Sequence, residues 1–232
     1  MIETIYAQSG NLRVEKAAFD HIERSASLVI IGITPGAQQR DLANNAYTHA
    51  LRTGSSPAHA SKSAKLTASF GGAMRANLIR MLDYVQASSW VGLESFSEAF
   101  DARRNSPVHF TSALRYPVFV GGANYNGHPD MISTPILRQM IETLLVEEVA
   151  ALPNAVWQPL GDKPALALRH LVKIGKLDSR RIAPSLPHPS GANAERIKYF
   201  LGEKEASELS SKTNAMKINA LRDSLFKFYN RK

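Results

Sequence analysis

The apolar run from Ser27 to Ile33 constrains the fold of this chain more than any other stretch. Its residues are nearly all aliphatic or β-branched, without alternating polar positions, which is typical of a central parallel strand buried on both faces. The run ends at Thr34-Pro35-Gly36, a sharp turn at the carboxyl end of the strand. Open α/β sheets bind their ligands at such ends. We therefore expect an α/β fold with a site near this turn.

Helical and strand patterns alternate along the rest of the chain. Further strands are predicted at 108–111, 155–161 and 181–186. Helices are predicted at 14–26, from 37 onward, at 74–85 and 134–150, after a capping Asp162, at 194–201 and at 212–232. This alternation predicts a three-layer α/β/α fold with a mainly parallel four-stranded sheet. We expect one domain over 1–232, with a long polar loop within 37–69.

Composition narrows the classes of function. The chain has no cysteine, which excludes a disulfide framework, a cysteine nucleophile and an iron–sulfur cluster. The start, Met1-Ile2-Glu3-Thr4-Ile5, has neither a basic segment nor an apolar signal core. The longest apolar run, 28–33, is too short to span a bilayer. We expect a cytoplasmic protein without a membrane partner.

The positive charge is concentrated in the last third of the chain. Residues 1–159 carry 13 basic and 13 acidic side chains, whereas residues 160–232 carry 15 basic and 7 acidic ones. A basic region of this kind favours a polyanionic partner, with nucleic acid as the first candidate.

The basic third contains a proline-rich loop centred on His188. Pro187 and Pro189 restrict the backbone on both sides of this histidine. Ser190 and Gly191 then form a compact turn before a predicted helix. Small residues at such a turn allow a phosphate to approach the backbone closely. The loop is suited to presenting one hydrogen-bond donor to a ligand.

Two of these strand ends together resemble a known family. Gly32-Ile33-Thr34-Pro35-Gly36 and His188-Pro189-Ser190-Gly191 look like the two signature motifs of the uracil-DNA glycosylase superfamily. The first is closest to the Gly-Ile-Asn-Pro-Gly of the mismatch-specific and thymine-DNA branches. The second is similar to the His-Pro-Ser of the classical and single-strand-selective branches.

Two intermediate segments extend the resemblance, which covers roughly residues 27–200. Phe70-Gly71 stands where the family keeps an aromatic residue that stacks on the flipped base. Residues 110–115, Phe-Thr-Ser-Ala-Leu-Arg, resemble the Thr-Asn-x-x-Lys of the family's middle strand end. The fold is then expected to be uracil-DNA glycosylase-like.

The resemblance implies a monofunctional DNA repair glycosylase that removes uracil, or another deaminated base, from DNA and leaves an abasic site. Such an enzyme extrudes the base and stabilises the departing anion, without a metal or other cofactor. DNA is the expected partner, and the protein is expected to be a monomer. The implied catalytic residues are His188, as donor to a base carbonyl, and Thr34. The implied base-binding residues are Gly32, Ile33, Phe70, Ser112 and Asn124. The implied DNA-binding residues are Pro35, Gly36, Ser190, Gly191, Ala192, Asn193 and Arg196.

Three positions depart from the family pattern. Thr34 stands where most branches have Asp or Asn, and its hydroxyl can hold a water but cannot accept its proton at neutral pH. Gln38, Gln39 and Asp41 are the nearest alternatives, and the sequence does not choose among them. Ser112 replaces the asparagine that reads the base edge, for which Asn124 or Asn126 is a possible substitute. Gly36 replaces the tyrosine that excludes the thymine methyl group, so the sequence shows no steric block against thymine.

Other readings stay open at this point. Thr34 and Ser112 together are compatible with a catalytically weak or inactive member that binds DNA or damaged bases. A nucleotide or nucleoside hydrolase of related fold is a third possibility. A metal site built from His109, His128, Asp130 and His188 is conceivable, although no pair among them has helical ligand spacing.

Overall fold

The computed structural model describes residues 5–231. The helices are α1 (Ala37–Arg52), α2 (Pro57–Ala68), α3 (Ala73–Tyr84), α4 (Ala87–Trp90), α5 (Pro135–Met140), α6 (Val146–Ala151), α7 (Asp162–Lys173), α8 (Ala194–Phe200) and α9 (Ala215–Tyr229). The strands are β1 (Ile5–Ser9), β2 (Leu12–Glu15), β3 (Leu28–Gly32), β4 (Val108–Ser112), β5 (Val118–Val120), β6 (Ala123–Asn124) and β7 (Val156–Pro159). The α/β class is therefore confirmed.

A parallel sheet of order β4-β3-β7 lies at the centre of the fold. Every residue of β3 is buried. Because side chains alternate along a strand, Leu28 and Ile30 pack into one apolar core while Val29 and Ile31 pack into another. The strand predicted from its uniform apolar composition is thus confirmed, together with the burial of both faces.

The fourth predicted strand, 181–186, is not a regular strand. Ile182 and Leu186 form isolated parallel bridges to Trp157 and Leu160, at and just beyond β7. Pro184 lies between the two bridges and has no N–H to donate to a ladder. The assigned parallel sheet therefore has three strands, and 181–186 lies beside it as an irregular neighbour.

The largest sheet is antiparallel, with order β1-β2-β5-β6. The prediction of one mainly parallel four-stranded sheet is wrong in this respect, as is the helix predicted over 14–26. Leu12 and Val14 are buried and lie opposite Val120 and Val118 of β5. The strand was not recognised because it is only four residues long, too short to distinguish alternation from the start of a helical pattern. Its partner strand β5 also lies about a hundred residues away in the chain.

The long polar loop predicted within 37–69 is also wrong. The segment forms α1 and α2, which pack against each other and are joined by a short turn. Their buried positions are mostly alanine: Ala43, Ala50, Ala60, Ala64 and Ala68. Alanine permits close helix packing but gives a weak hydrophobic signal in a polar sequence.

The remaining helix predictions are confirmed with shifted boundaries. Gly161, not Asp162, is the N-cap of α7. The predicted helix over 134–150 is α5 and α6 joined by one π-helical turn, Ile141–Leu145. In α9, Ile218 and Leu225 are buried in the same apolar core as Leu28 and Ile30 of β3. Lys232 of the predicted terminal helix and residues 1–4 lie outside the described part of the chain.

None of the helices within residues 5–231 is long and apolar enough to cross a membrane.

Candidate functional site

A cavity of about 370 Å³ opens at the carboxyl ends of the parallel strands. A site of this volume is in the usual range for small-molecule pockets. The turn after β3 contributes Gly32–Gly36, and the end of β4 contributes Thr111 and Ser112. His188 reaches the same cavity from the loop after the 181–186 segment. The two proline-bearing turns, distant in sequence, thus line one pocket.

Phe70 lines the same cavity and has an unusual backbone conformation. Its φ is 52°, in the left-handed region that a bulky residue rarely adopts. The ring is buried, lines the cavity and packs edge-on against Phe110 with centroids 6.0 Å apart. Gly32 makes room for it, because a Cβ at this position would lie 3.2 Å from Phe70 Cε1. The expected aromatic residue is therefore at the pocket.

The hydrogen bonds of the His188 loop fix the tautomer of the imidazole. The backbone N–H of Ser190 donates to His188 Nδ1 at 3.3 Å, so the ring proton lies on Nε2. Burial lowers the pKa of His188, which keeps the ring neutral near pH 7. Asn77 of α3 donates to the carbonyl of Pro189 at 3.0 Å and holds the loop in place. The ring is a neutral donor through Nε2.

Thr34 lines the cavity with its hydroxyl proton already committed. The Oγ1–H donates to the carbonyl of Tyr116 at 2.9 Å, so the oxygen has only acceptor capacity left for a water. Gln39 also lines the cavity, but its Oε1 accepts from Gly36 N and its Nε2 donates to Ala68 O. Gln38 and Asp41 do not line the cavity. Within the described residues, no carboxylate lines this pocket.

Two basic side chains, Lys65 and Arg115, line the cavity together with His188. Arg115 comes from the segment after β4 that resembles the family motif, whereas Lys65 was missed in the sequence. Lys65 lies on α2, in the segment taken for a loop. Had 57–68 been interpreted as a helix, Lys65 would lie on the same face as Ala68, three residues later, and could have been predicted to be buried.

Arg115 belongs to a buried charge network behind the cavity. It donates to Glu148 at 2.8 Å, to Glu147 at 3.0 Å and to the carbonyl of Leu144 at 2.7 Å. Glu148 also accepts from His109 Nε2 at 3.2 Å. Burial raises the pKa of Glu148, but the charge of Lys65 and the His109 hydrogen bond outweigh it, so the pKa is held well below its usual value.

Asn124 does not line the cavity. Its Oδ1 accepts from the backbone N–H of Ala37 at 2.9 Å, so it supports the first turn of α1 beside Gly36. Asn126, the alternative from the same loop, does line the cavity, as do Ser112, Ile33 and Pro35. The base-binding role predicted for Asn124 is therefore not supported by its position, which is that of a helix cap.

Only two of the five predicted DNA-binding residues after His188 lie along a second groove. This groove has a volume of about 400 Å³ and shares His188 with the first cavity. Asn193 and Arg196 line it, and α9 and the residues before it add Lys212 and Lys217. Ser190, Gly191 and Ala192 line neither cavity. Ser190 is half-buried and accepts from Asn193 at 3.3 Å, whereas Gly191 and Ala192 are exposed.

The residues considered for a metal site are not brought together. His109 is buried, and both of its ring nitrogens are hydrogen-bonded, to Glu23 N and to Glu148. His188 faces the cavity. Over residues 5–231, no three His, Asp or Glu side chains form a group that could hold a metal ion.

These features define a class: an α/β protein with a cavity at the carboxyl edge of a parallel sheet. A neutral histidine, aromatic rings and two cations line this cavity, and none of the described residues that line it is a carboxylate. The chain is 35% identical over 191 residues to the uncharacterized protein YoxB of Bacillus subtilis (strain 168), and the match covers 82% of this chain and 74% of that protein. The chain belongs to the same family as YoxB. The chain matched no family model and no solved structure.

Proposed function

We propose that this protein is a uracil-DNA glycosylase-like enzyme. It hydrolyses the N-glycosidic bond of uracil, or of another deaminated base flipped out of DNA, and leaves an abasic site. The observation that carries the proposal is the convergence of His188, Phe70 and the Thr34-Pro35-Gly36 turn on one cavity. These three segments resemble the motifs of that superfamily, and they lie up to 154 residues apart.

The arrangement of the sheet supports the same proposal. The irregular segment 181–186 lies next to β7, which gives the parallel order β4, β3, β7 and 181–186. We interpret this as a divergent three-layer α/β/α sheet of the uracil-DNA glycosylase type, with an added antiparallel sheet. In the parallel sheet, segment 181–186 leads into His188 at one edge, and β4 ends with Ser112 at the opposite edge.

The chemistry follows from the groups in the cavity. The C1′–N bond breaks with its electron pair on the base, and a water oxygen then bonds to C1′ of the sugar. The proton that this water loses is taken up by the departing base anion through solvent, so the products are a hydroxyl on the sugar and a neutral base. His188 Nε2–H donates to a carbonyl oxygen of the base as negative charge develops there. Phe70 stacks on the base. Thr34 Oγ1 accepts from the water and orients it but cannot take its proton. Leaving-group stabilisation therefore supplies most of the rate.

The second groove gives the DNA strand a path past the cavity. Arg196, Lys212 and Lys217 line it, outnumbering Asp162, the one carboxylate among the described residues there. His188 lies where the groove meets the base pocket. Basic side chains in such a groove contact phosphates and position the strand without reading its sequence. We propose that the strand lies along this groove while one base occupies the cavity.

The test is base excision from oligonucleotides that contain one uracil, hypoxanthine or thymine, in single- and double-stranded form. The wild-type protein is expected to produce an alkali-labile abasic site. His188→Ala is expected to lower the rate about 100-fold or more, as for the loss of one preorganised donor. His59→Ala, an exposed histidine on α2, is the matched control and should leave the rate unchanged.

A second candidate function is a DNA- or base-binding protein without catalysis. The specific observation in its favour is the absence of a carboxylate among the described residues that line the cavity. Binding of uracil-containing DNA without any abasic product would support it over the glycosylase. A hydrolase of free nucleotides would instead bind a long strand with little dependence on salt concentration.

A further inference from the structure

Lys65 is an unusual residue for the wall of a cavity. Only 3% of it is exposed, and it lines the pocket from α2. Its ammonium donates to the carbonyl of His21 at 2.7 Å, which is its one hydrogen bond within the described residues. A lysine ammonium has three N–H donors. Two of them therefore have no partner among the described residues. Lys65 also borders a space of about 10 Å³ beside His21, and of these two spaces lined by described residues only the cavity is large enough for a ligand.

The neighbouring carboxylates do not form an ion pair with Lys65 within the described residues. Arg115 uses its donors on Glu148, Glu147 and Leu144 O. Lys65 itself forms no ion pair with a carboxylate within the described residues, although the charge of Glu148 acts on it at longer range. A buried ammonium without a carboxylate contact is costly for the fold. Burial lowers the pKa of Lys65 to about 8, so the group is still mainly cationic at pH 7.

The chemistry of the group restricts what can lie against it. An ammonium donates hydrogen bonds and accepts none, so a carbonyl oxygen is a partner and an exocyclic amino group is not. Deaminated bases differ from their parents by this change: uracil has a carbonyl where cytosine has an amino group, and hypoxanthine differs from adenine in the same way. The hydroxyl of Ser112, which also lines the cavity, both donates and accepts, so it does not distinguish a carbonyl from an amino group.

We infer that Lys65 is the specificity-determining residue of the cavity, donating a hydrogen bond to a ring carbonyl oxygen of the bound base so that keto bases are accepted and amino bases are rejected. The inference rests on the proposed function, because it places a nucleobase in the cavity. It adds the residue that distinguishes a deaminated base, with its carbonyl, from the parent base, with its amino group.

The experiment measures binding of free bases first, because binding does not require catalysis. Calorimetric titration compares uracil with cytosine and hypoxanthine with adenine. The wild-type protein is expected to prefer the keto base of each pair about 10- to 100-fold, as for a hydrogen bond to a charged donor. Lys65→Met removes the donor at similar length and should abolish the preference. Lys62→Met, on the same helix but outside the cavity, is the matched control.

A second variant, Lys65→Gln, tests the inference if Lys65→Met does not fold. Lys65→Gln is a neutral side chain with both a donor and an acceptor, and it is expected to bind both members of each pair with nearly equal affinity. An unchanged keto preference in either folded variant overturns the inference, as does equal affinity of the wild-type protein for both members of each pair. Excision of uracil with an unaltered preference in Lys65→Met leaves the glycosylase proposal intact. A Lys65-dependent preference without an abasic product overturns only the glycosylase proposal.

Discussion

At the scale of single residues, the fit between Gly32 and Phe70 determines the shape of the cavity. Phe70 keeps a left-handed backbone at φ 52°, which costs a bulky residue on the order of 1 kcal/mol. Its ring fills the space that a side chain at Gly32 would need. Glycine at position 32 is therefore required by the close approach of the ring, since its own φ is not positive.

Gly32→Ala is expected to displace the Phe70 ring by a few tenths of an ångström and to weaken base binding more than folding. The added Cβ would lie 3.2 Å from Phe70 Cε1 and 3.6 Å from Ser112 Oγ. Base affinity and the urea unfolding midpoint are measured together. Gly71→Ala is the control, because its Cβ would meet Leu42 Cδ1 at an ordinary 3.6 Å. Equal effects of the two substitutions on base affinity would contradict this account.

At the scale of elements, two nearby asparagines have different roles: Asn124 supports the start of α1, whereas Asn126 lines the cavity. Gln39 Oε1 accepts from Gly36 N, and Asn124 Oδ1 accepts from Ala37 N, so two of the free N–H groups at this helix end are satisfied. Asn124 also lies against Gly36, where a Cβ would come within 3.2 Å of its Nδ2. Asn126, two residues on, faces the cavity instead.

Asn124→Ala and Asn126→Ala are therefore expected to separate stability from binding. Loss of the Asn124 cap should lower the free energy of unfolding by about 1 kcal/mol, as for other N-terminal caps. Among the described residues, Asn126 Oδ1 accepts only an exposed hydrogen bond, from His128 N at 3.2 Å. Asn126→Ala should therefore lower the free energy of unfolding less than Asn124→Ala does and should weaken base binding. Urea denaturation and base titration of both variants check this. The reverse pattern, with Asn126 carrying the stability, would show that the two roles are exchanged.

At the scale of the whole molecule, the buried charge network joins the sheet to the helices behind it. His109 of β4 binds Glu148 of α6, and Arg115 reaches both Glu148 and the π-helical turn that precedes α6. Burial lowers the pKa of His109 to about 4, and the nearby charge of Lys65 acts in the same direction. The network is therefore built around a neutral histidine.

Acid is expected to destabilise the protein through this network. An unfolded histidine has a pKa near 6.5, so between about pH 6.5 and 4 the unfolded state binds a proton that the folded state does not. Stability is therefore lost as the pH falls through this window, by about 2 kcal/mol between pH 7 and pH 4.5. The depressed pKa of Glu148 acts in the same sense at lower pH, because its contribution is present above the unfolded value and lost below it.

His109→Gln should flatten this pH dependence. Glutamine is neutral at every pH in the window, so the part of the slope due to His109 disappears. Urea unfolding at pH 7, 6, 5 and 4.5 measures the slope, with exposed His59→Gln as the matched control. Parallel pH profiles for the wild-type protein and His109→Gln would exclude His109 as the source.

The predictable part of the fold and site depends on local signals. β3 is recognisable because it lies within an apolar run of six residues, 28–33, and α9 because Ile218, Leu221 and Leu225 repeat at helical spacing. The turn after β3 and the His188 loop are marked by proline and glycine. Their positions at strand ends follow from the alternation of elements. The shared cavity follows from parallel strands, whose carboxyl ends meet at one edge.

The unpredicted part depends on partners distant in the chain. β2 exists because 118–120 lies beside it, and α1 and α2 are stable because their alanines pack against each other. The position of Lys65, the committed hydroxyl of Thr34 and the capping role of Asn124 are set by hydrogen-bond partners 44 to 87 residues away. The sequence by itself determined the buried central strand, the two proline-bearing turns and the residues that they carry, because hydrophobic periodicity and backbone restriction act over a few residues. Only the tertiary structure decided which charges face the cavity, since desolvation and hydrogen bonding depend on every element that packs around a group.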